Sequence, residues 1–474
     1  MVLNEQASAK WKPILEHEDL PQIADSYKKS VTAVLLENQE KMMRQQAAQE
    51  RGRGLFLTEG PMGSGIDQSG GDTLNGLAPV GSDSAGAVQF VDPVLISLVR
   101  RTMPKLLAYD VCGVQPLTGP TGLIFAMRSH YGSPGPNPLP AGGAAYTNEA
   151  FFGEANTAYS SDGKGGTHLS TIDPVDAFFG TTVDAVTGRG VATSVGEQMG
   201  RAGGDAIPEM SFSIEKMSVT AQTRKLRGQY TLEMAQDLKA THGLNAESEL
   251  SNILSNEILA EVNRQVIRTI YTVAKPGAKN ATDGANSNYD LLVDSNGRWS
   301  VEKFKGLMFQ MEIEANQIAR ETRRGKGNII ICSADVASAL QMASVLDYSS
   351  NLKVSLKTDE TDNLFAGVLN GQFKVYIDPY LPVNATKALV TVGYKGTSPY
   401  DSGVFYCPYQ PLQMLRAQDP NSFTPIIGFM SRDAMVANPF SRINASGQAV
   451  RADGTGLTAD ENVYYRKFKV LNLT

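Results

Sequence analysis

The sequence has little cysteine and no long apolar run. Cysteine occurs three times in 474 residues, at Cys112, Cys332 and Cys407, and the three positions are widely separated. This spacing gives no disulfide framework, so we expect reduced structural thiols. The longest apolar runs, such as the one that begins at Pro93, are far shorter than a membrane span, and the N-terminus lacks the apolar core of a secretory signal. These absences argue against a disulfide-rich secreted domain and a membrane-spanning protein, and we expect a protein that is soluble in a cytoplasm.

An excess of positive charge is also absent. The formal net charge is −6, with 43 lysines and arginines against 49 acidic residues. No overall basic field is therefore available to hold nucleic acid by counterion release, and contact with DNA would be non-specific. The chain does have a large hydrophobic content, since 42% of its residues are hydrophobic. That content is enough for a large core and for about two to four folding units.

Residues in a catalytic arrangement are absent as well. The histidines are isolated, and none belongs to an HExxH motif or to a cluster with metal-ligand spacing; they are His17, His130, His168 and His242. The Gly-rich segments match neither a phosphate loop nor a dinucleotide fingerprint, and no GxSxG motif occurs. We therefore predict no catalytic residue, no bound metal and no cofactor. The sequence favours a subunit that acts through its surfaces.

The first 50 residues predict an amphipathic helix. Apolar side chains recur there at spacings of three, four and seven, at Ile23, Tyr27, Val31, Val34, Leu35 and Met42. This apolar face needs a partner, and one alternative is docking on the protein's own body. The tract from Gly60 to Gly86, however, is rich in Gly, Ser and Asp and has too little apolar surface to offset its ordering entropy. We therefore predict a flexible tether that separates the helix from the body.

The rest of the chain mixes helical and strand patterns, which predicts an α+β fold without a sustained βαβ rhythm. The segment from His130 to Pro208 is rich in small residues and is too long for an ordinary connection, so we predict a projecting insertion. Asn245 is the predicted N-cap of a long helix that Pro276 ends. A second helix is predicted from Ser300, with Gly325 as its left-handed C-terminal cap. Alternating strands are predicted in the last third of the chain.

Five segments of the sequence, in one order, carry a resemblance to a known family. They are VRRTMPKLLAYDVCGVQPLTGPTGLIFAMRSHYG from Val99, RGQYTLEMAQDLKATHGLNAESELSNILSNEILAEVNR from Arg227, LFAGVLNGQFKVYIDPY from Leu364, VGYKGTSPYDSGVFYCPY from Val392 and DPNSFTPIIGFMSRDAMVANPF from Asp419. These segments resemble the major capsid proteins of T-even (T4-like) tailed bacteriophages, and a collinear set is far more specific than a single motif. The resemblance implies the α+β HK97-like capsid fold, with an N-terminal arm, an extended loop that bears an insertion domain, a peripheral domain and an axial domain.

The resemblance also implies how the chain divides. The expected parts are a cleavable propeptide with a scaffold-interacting helix (1–59), a flexible N-terminal arm (60–87), the start of the body (88–129), the extended loop and insertion domain (130–210), the peripheral domain (211–300) with a spine helix (245–275), and the axial domain with strands that return to the peripheral domain (301–474). The long helix predicted from its own pattern coincides with the expected spine helix.

Proteolytic processing is a further implication of the resemblance. In this family a phage-encoded prohead protease cuts after Glu in a Leu/Ile-x-Glu triplet. Leu57-Thr58-Glu59 matches, and the expected scissile bond precedes Gly60, in a tract that can enter a protease cleft in extended form. Candidate secondary cuts follow further matching triplets, which end at Glu5, Glu16 and Glu37. A triplet that ends at Glu261 lies in the predicted long helix, where we expect it to be protected.

The resemblance implies a major capsid protein whose copies form hexameric capsomers of an icosahedral or prolate head shell around double-stranded DNA. The implied partners are further copies of the chain, the capsid vertex protein, scaffolding core proteins, the prohead protease, the portal, decoration proteins and a folding chaperone. The expected location is the virion, after assembly in the host cytoplasm. Three alternatives stay open: the related pentamer-forming vertex protein, a scaffold-type binding protein that keeps its N-terminal helix, and a hydrolase whose site is assembled only in space.

Overall fold

The computed structural model describes the larger part of the chain. The described residues are 2–16, 23, 25–52, 103, 106–131, 157, 159–160, 190–201, 207–297, 299–343, 346–348, 365–381, 388–419, 424–443, 449–450 and 455–473. The triplet Leu57-Thr58-Glu59, Gly60, the whole predicted arm and most of the predicted insertion lie outside the described residues, as do His17 and His168.

Helices and strands alternate irregularly, and the predicted α+β class is confirmed. The helices are α1 (Val2–Leu15), α2 (Ser26–Gly52), α3 (Ala108–Val111), α4 (Thr193–Gly196), α5 (Leu232–His242), α6 (Ala246–Val273), α7 (Ser300–Thr322) and α8 (Ala334–Met342). The strands are β1 (Gly113–Val114), β2 (Thr121–Tyr131), β3 (Met210–Thr220), β4 (Gln222–Gln229), β5 (Ala274–Pro276), β6 (Asn288–Asp290), β7 (Ile329–Ser333), β8 (Leu346–Tyr348), β9 (Phe365–Leu369), β10 (Phe373–Asp378), β11 (Ala388–Gly393), β12 (Val404–Gln418), β13 (Pro425–Ala437), β14 (Arg442–Ile443), β15 (Ala449–Val450) and β16 (Asn462–Leu471).

The strands form two main sheets and a long hairpin. An eight-stranded sheet has the order β5-β16-β11-β7-β10-β9-β8, with β6 also paired to β16. A four-stranded sheet has the order β1-β12-β13-β4, in which β1 runs parallel to β12 and the other pairs are antiparallel. Strands β2 and β3 pair with each other over their full length, and β14 pairs with β15.

Helix α6 begins and ends where the sequence predicts. The side chain of Asn245 accepts a hydrogen bond from the Glu247 amide at 3.1 Å, which satisfies one of the free amides of the first turn. Acidic Glu247 and Glu249 in that turn complement the positive end of the helix dipole. The helix ends at Val273, before Pro276, which cannot supply an amide to continue it.

The predicted cap of α7 is wrong. The helix ends at Thr322, and Arg323, with φ of 54°, takes the left-handed cap conformation that the sequence suggests for Gly325. Gly325 is instead required for a close approach, because a Cβ atom there would lie 2.5 Å from Cε2 of Tyr394. An L-residue adopts this left-handed conformation only at an energetic cost, so the glycine two residues away was the better candidate on local grounds.

The main hydrophobic core lies between the eight-stranded sheet and helices α6, α7 and α8. Val266 and Ile270 of α6 and Ile318 of α7 are fully buried in it. The same cluster includes Trp11 of α1 and Leu35 of α2, which are also fully buried. The predicted separation of the N-terminal helix from the body is therefore wrong, because the apolar face of this helix is covered by the chain itself.

Two isoleucines of α6 provide a matched test of this core. Ile270 is 0% exposed, whereas Ile253 is 63% exposed. We expect Ile270→Ala to lower the free energy of unfolding by ~2–5 kcal/mol, because it leaves a cavity in packed surroundings. Ile253→Ala should change it by less than about 0.5 kcal/mol. Urea unfolding of the purified full-length chain, followed by circular dichroism, measures both values, and equal costs for the two variants would contradict this placement of α6.

Candidate processing and assembly sites

The secondary processing triplets lie on the two N-terminal helices. Glu5 is within α1, Glu16 follows the last residue of that helix, and Glu37 is in the middle of α2. Glu16 is exposed, and its carboxylate is 3.5 Å from Nζ of Lys29. Glu261 lies within α6, where its carboxylate contacts the guanidinium of Arg224. A protease binds its substrate in extended form, so cuts after Glu37 or Glu261 require local unfolding of a helix.

Glu37 joins α2 to α1. Its Oε2 accepts from Nζ of Lys10 at 3.1 Å and from Nε1 of Trp11 at 3.3 Å, and Lys10 also contacts the carboxylate of Glu40. Partial burial acts to raise the pKa of Glu37, but the hydrogen bonds from Lys10 and Trp11 outweigh it and hold that pKa below its ordinary value. We call this group of four side chains the α1–α2 clasp.

The middle of α2 is buried on every side. Between Val31 and Glu40, all residues are buried except Glu37, which is half-buried. The polar side chains Asn38, Gln39 and Glu40 are included, and both amide atoms of Gln39 have no hydrogen-bond partner among the described residues. A helix on a protein surface has one solvated face. The part of α2 between Val31 and Glu40 is instead an interior part of this fold.

Polar contacts tie α2 to the four-stranded sheet. The hydroxyl of Tyr27 donates to the backbone carbonyl of Val114 in β1. The side-chain amide of Asn38 donates to two backbone carbonyls, that of Leu117 at 2.7 Å and that of Tyr409 in β12 at 3.1 Å. These contacts span 79 and 371 positions of the sequence, and helical periodicity does not reveal them.

The β2–β3 hairpin has one apolar face that is open to solvent. Met127 lies directly opposite Ile214 in the antiparallel register, and alternate residues on both strands share their face. Six large apolar side chains on this face are at least half exposed: Leu123, Phe125, Met127, Met210, Phe212 and Ile214. We call these six residues the hairpin face. Contiguous exposed apolar surface of this kind marks a site of interaction with a protein, a membrane or a ligand.

The opposite face of the hairpin packs on the four-stranded sheet near its base. Ile124, Met217 and Val219 are buried there against a cluster that includes Phe405 and Val436. Apolar residues thus alternate between a covered face and an open face along the same two strands. The run LIFAM (123–127) places apolar side chains on both faces of β2. The sequence therefore does not show which of the two faces remains exposed.

A groove of about 850 Å³ runs along α6 and is lined by charged side chains. Arg264 is 2.6 Å from the carboxylate of Asp378, and its guanidinium lies 5.0 Å from the ring centroid of Tyr380. Arg224 is 3.4 Å from the carboxylate of Asp433, whose pKa is raised because burial outweighs the attraction of Arg224. The first ion pair connects α6 to β10, and the second connects β4 to β13.

The described residues contain no group of three His, Cys, Asp or Glu side chains arranged to hold a metal ion. The thiols of Cys112, Cys332 and Cys407 are buried, and burial raises the pKa of each to about 12. A thiol in such surroundings is a poor nucleophile at neutral pH. In the part of the chain that is described, every helix is too short or too polar to cross a bilayer.

Comparison with known proteins gives a consistent result. The sequence model of the family described as Major capsid protein Gp23 matches residues 88–470. The major capsid protein of Enterobacteria phage T4 is 36% identical over 524 aligned residues, which include 97% of each chain. The capsid vertex protein of the same phage is 26% identical over 260 residues, 52% of this chain and 57% of that protein. The capsid structure of Myoviridae phage XM1 aligns with 76% of this chain and 89% of its own, at 9% identity and a TM-score of 0.36.

Acid should weaken the α1–α2 clasp. The folded-state pKa of Glu37 lies below its ordinary value of 4.5, so the stability it contributes is present above that value and is lost as the pH falls through the folded pKa. We expect the fluorescence of Trp11, measured in a Trp299→Phe background, to shift to the red in this acid range. Glu37→Gln should remove this component of the transition, and Glu16→Gln, at an exposed carboxylate, should retain it. An unchanged acid transition in Glu37→Gln would contradict the assignment.

Proposed function

The chain belongs to the Gp23 family of major capsid proteins, and from that premise we propose that its copies associate as hexameric capsomers after removal of an N-terminal propeptide. A major capsid protein of a tailed phage forms the head shell of the virion, and this chain has that structural role. It is a shell subunit and not an enzyme, so its function depends on surfaces that fit other copies of itself. We propose that α6 is the expected spine helix, and that the β2–β3 hairpin leads into and out of the expected extended loop (130–210).

The exposure of the hairpin face is the observation that supports assembly through it. Six large apolar side chains on one face of a two-stranded ribbon have no cover within the described part of the subunit. Burial against a second copy would remove this surface from water, at about 25 cal/mol per Å² of apolar area. Repeated contacts of this kind around a ring make individually weak interfaces productive. We therefore propose the hairpin face as a subunit–subunit contact within or between capsomers.

The pentamer-forming vertex protein is the second candidate within the same structural class. Similarity to the T4 vertex protein extends over about half of the chain, whereas similarity to the T4 major capsid protein extends over nearly all of it. The difference in extent favours the hexamer-forming role. The two roles also differ in copy number, which can be counted in purified particles, because the shell subunit greatly outnumbers the vertex subunit.

Assembly should depend on the apolar character of the hairpin face. Phe212 is 66% exposed, so Phe212→Asp should leave the fold of the free subunit intact. We expect the same variant to reduce particle yield at least ~10-fold, because a charge would be buried at each contact. Phe212→Leu keeps an apolar side chain and should retain most of the yield. Electron microscopy and sedimentation of particles formed with scaffold provide the measurement, and a wild-type yield from Phe212→Asp would contradict this contact.

The propeptide proposal rests on the triplet Leu57-Thr58-Glu59 and on the composition of the tract that follows it. A segment with little apolar surface gives a protease access to the bond between Glu59 and Gly60. The secondary triplets at Glu16 and Glu37 lie on helices α1 and α2, so their cleavage would fragment the released peptide. Cleavage at Glu59 would make assembly irreversible, because the removed segment could not rejoin the chain.

The N-terminus of the chain in mature particles tests this proposal directly. Mass spectrometry of purified heads should find Gly60 as the first residue. Glu59→Ala should leave this bond uncut, whereas Glu16→Ala should still yield a chain that starts at Gly60. Heads that retain residues 1–59 would contradict processing and would favour a scaffold-type protein with a permanent N-terminal helix.

The partners follow from the same proposal. Scaffolding core proteins and the prohead protease would contact residues 1–59, and the vertex protein, the portal and decoration proteins would contact the shell. The apolar face of α2 is covered by the body. Among the described side chains of residues 1–59, the exposed ones, such as Lys12, Pro13 and Lys41, are polar or small. A folding chaperone is the natural partner of the hairpin face before assembly.

A further inference from the structure

The short strand β1 is at the edge of the four-stranded sheet, and α2 covers its open side. In the sheet order β1 has β12 as its single strand neighbour. Two amides after β1 continue this pairing with β12. The amide of Gln115 donates to the carbonyl of Tyr406, and the amide of Leu117 donates to the carbonyl of Pro408, both at 2.9 Å. An edge strand presents unpaired backbone groups to its surroundings. Tyr27 and Asn38 of α2 supply side-chain donors to the carbonyls of Val114 and Leu117 along this segment.

Leu117 connects α2 to the hairpin. Its carbonyl accepts from Asn38, its amide donates to Pro408, and its side chain is buried with Ile124 at the hairpin base. The packing is tight, because a Cβ atom at Gly122 in β2 would lie 2.4 Å from Cδ2 of Leu117. A displacement of Leu117 would therefore also displace β2.

The connection between Leu117 and β2 is also short. Three residues separate Leu117 from Thr121, and the last of them is Pro120, whose ring restricts its backbone. The carbonyl of Pro120 accepts from the amide of Ala221 at 2.9 Å, which closes the base of the hairpin. The same amide side chain of Asn38 holds the carbonyl of Tyr409 in β12. One residue of α2 thus binds both the strand that leads into the hairpin and the sheet against which the hairpin packs.

We propose that α2 is an intramolecular brace that fixes the base of the β2–β3 hairpin, through a site formed by the carbonyls of Val114, Leu117 and Tyr409. While α2 occupies this site, the hairpin is held against β12 and its apolar face has one orientation. When α2 leaves, the base loses these contacts and the hairpin gains freedom to turn. The brace is a property of the full-length chain and does not depend on cleavage after Glu59.

Hydrogen exchange of the full-length chain tests the brace. We expect Asn38→Ala to accelerate exchange of the Leu117 and Ala221 amides roughly tenfold, because two carbonyls lose a donor and the base opens more often. The amide of Thr391, in β11 within the eight-stranded sheet, reports on the rest of the fold and should keep its wild-type rate. Lys41→Ala, on an exposed side chain of the same helix, is the matched control and should change none of these rates.

A second variant separates the brace from a general loss of folding. Tyr27→Phe removes the hydroxyl that reaches Val114 and keeps the ring, so it should accelerate the same hairpin amides by a smaller factor. Faster exchange at the hairpin base with an unchanged rate at Thr391 supports the brace. Unchanged hairpin rates in both variants, or an equal acceleration at Thr391, would overturn it. Either result leaves the mature N-terminus at Gly60 and the yield of Phe212→Asp particles as independent tests of the proposed function.

Discussion

The fold depends on one continuous helix that packs against both main sheets. The N-terminal half of α6 buries Leu254 and Ile258 against the four-stranded sheet. Its C-terminal half buries Val266 and Ile270 against the eight-stranded sheet. With a rise of about 1.5 Å per residue, a helix of 28 residues is ~42 Å long. Because the helix is a single rigid element, its length and the rotation of its apolar stripe determine how the two sheets are placed relative to each other.

The local features of this arrangement are predictable from sequence. Asn245 as N-cap, the acidic first turn and Pro276 after the last turn define α6, since each acts within a few residues of the helix. The left-handed cap at Arg323 was missed because the tertiary approach of Gly325 to Tyr394 decides that position. The open side of the β2–β3 hairpin was missed for a related reason. Alternation identifies two faces, but only the packing of Ile124 on the four-stranded sheet shows which of them is covered.

The position of α2 could not be derived from composition. The Gly-rich tract after residue 59 suggested a helix that remains apart from the body. The composition of this tract, however, describes only the connection and not the surface of the helix. The helix packs in the main core, and contacts such as Asn38 to Tyr409 join residues 371 positions apart. A tether of that composition permits docking as well as separation, so the affinity of the two surfaces decides the outcome.

An open apolar ribbon would expose the free subunit to unproductive association in a crowded cell. The hairpin face presents Phe125, Met127 and Phe212 to any apolar partner. A protein that shelters the unassembled chain would have to cover these side chains, and a second copy that binds the hairpin face would need the same area. The sheltering protein and the second copy could therefore not bind the hairpin face at the same time. Each addition to the shell would require release of the sheltering protein.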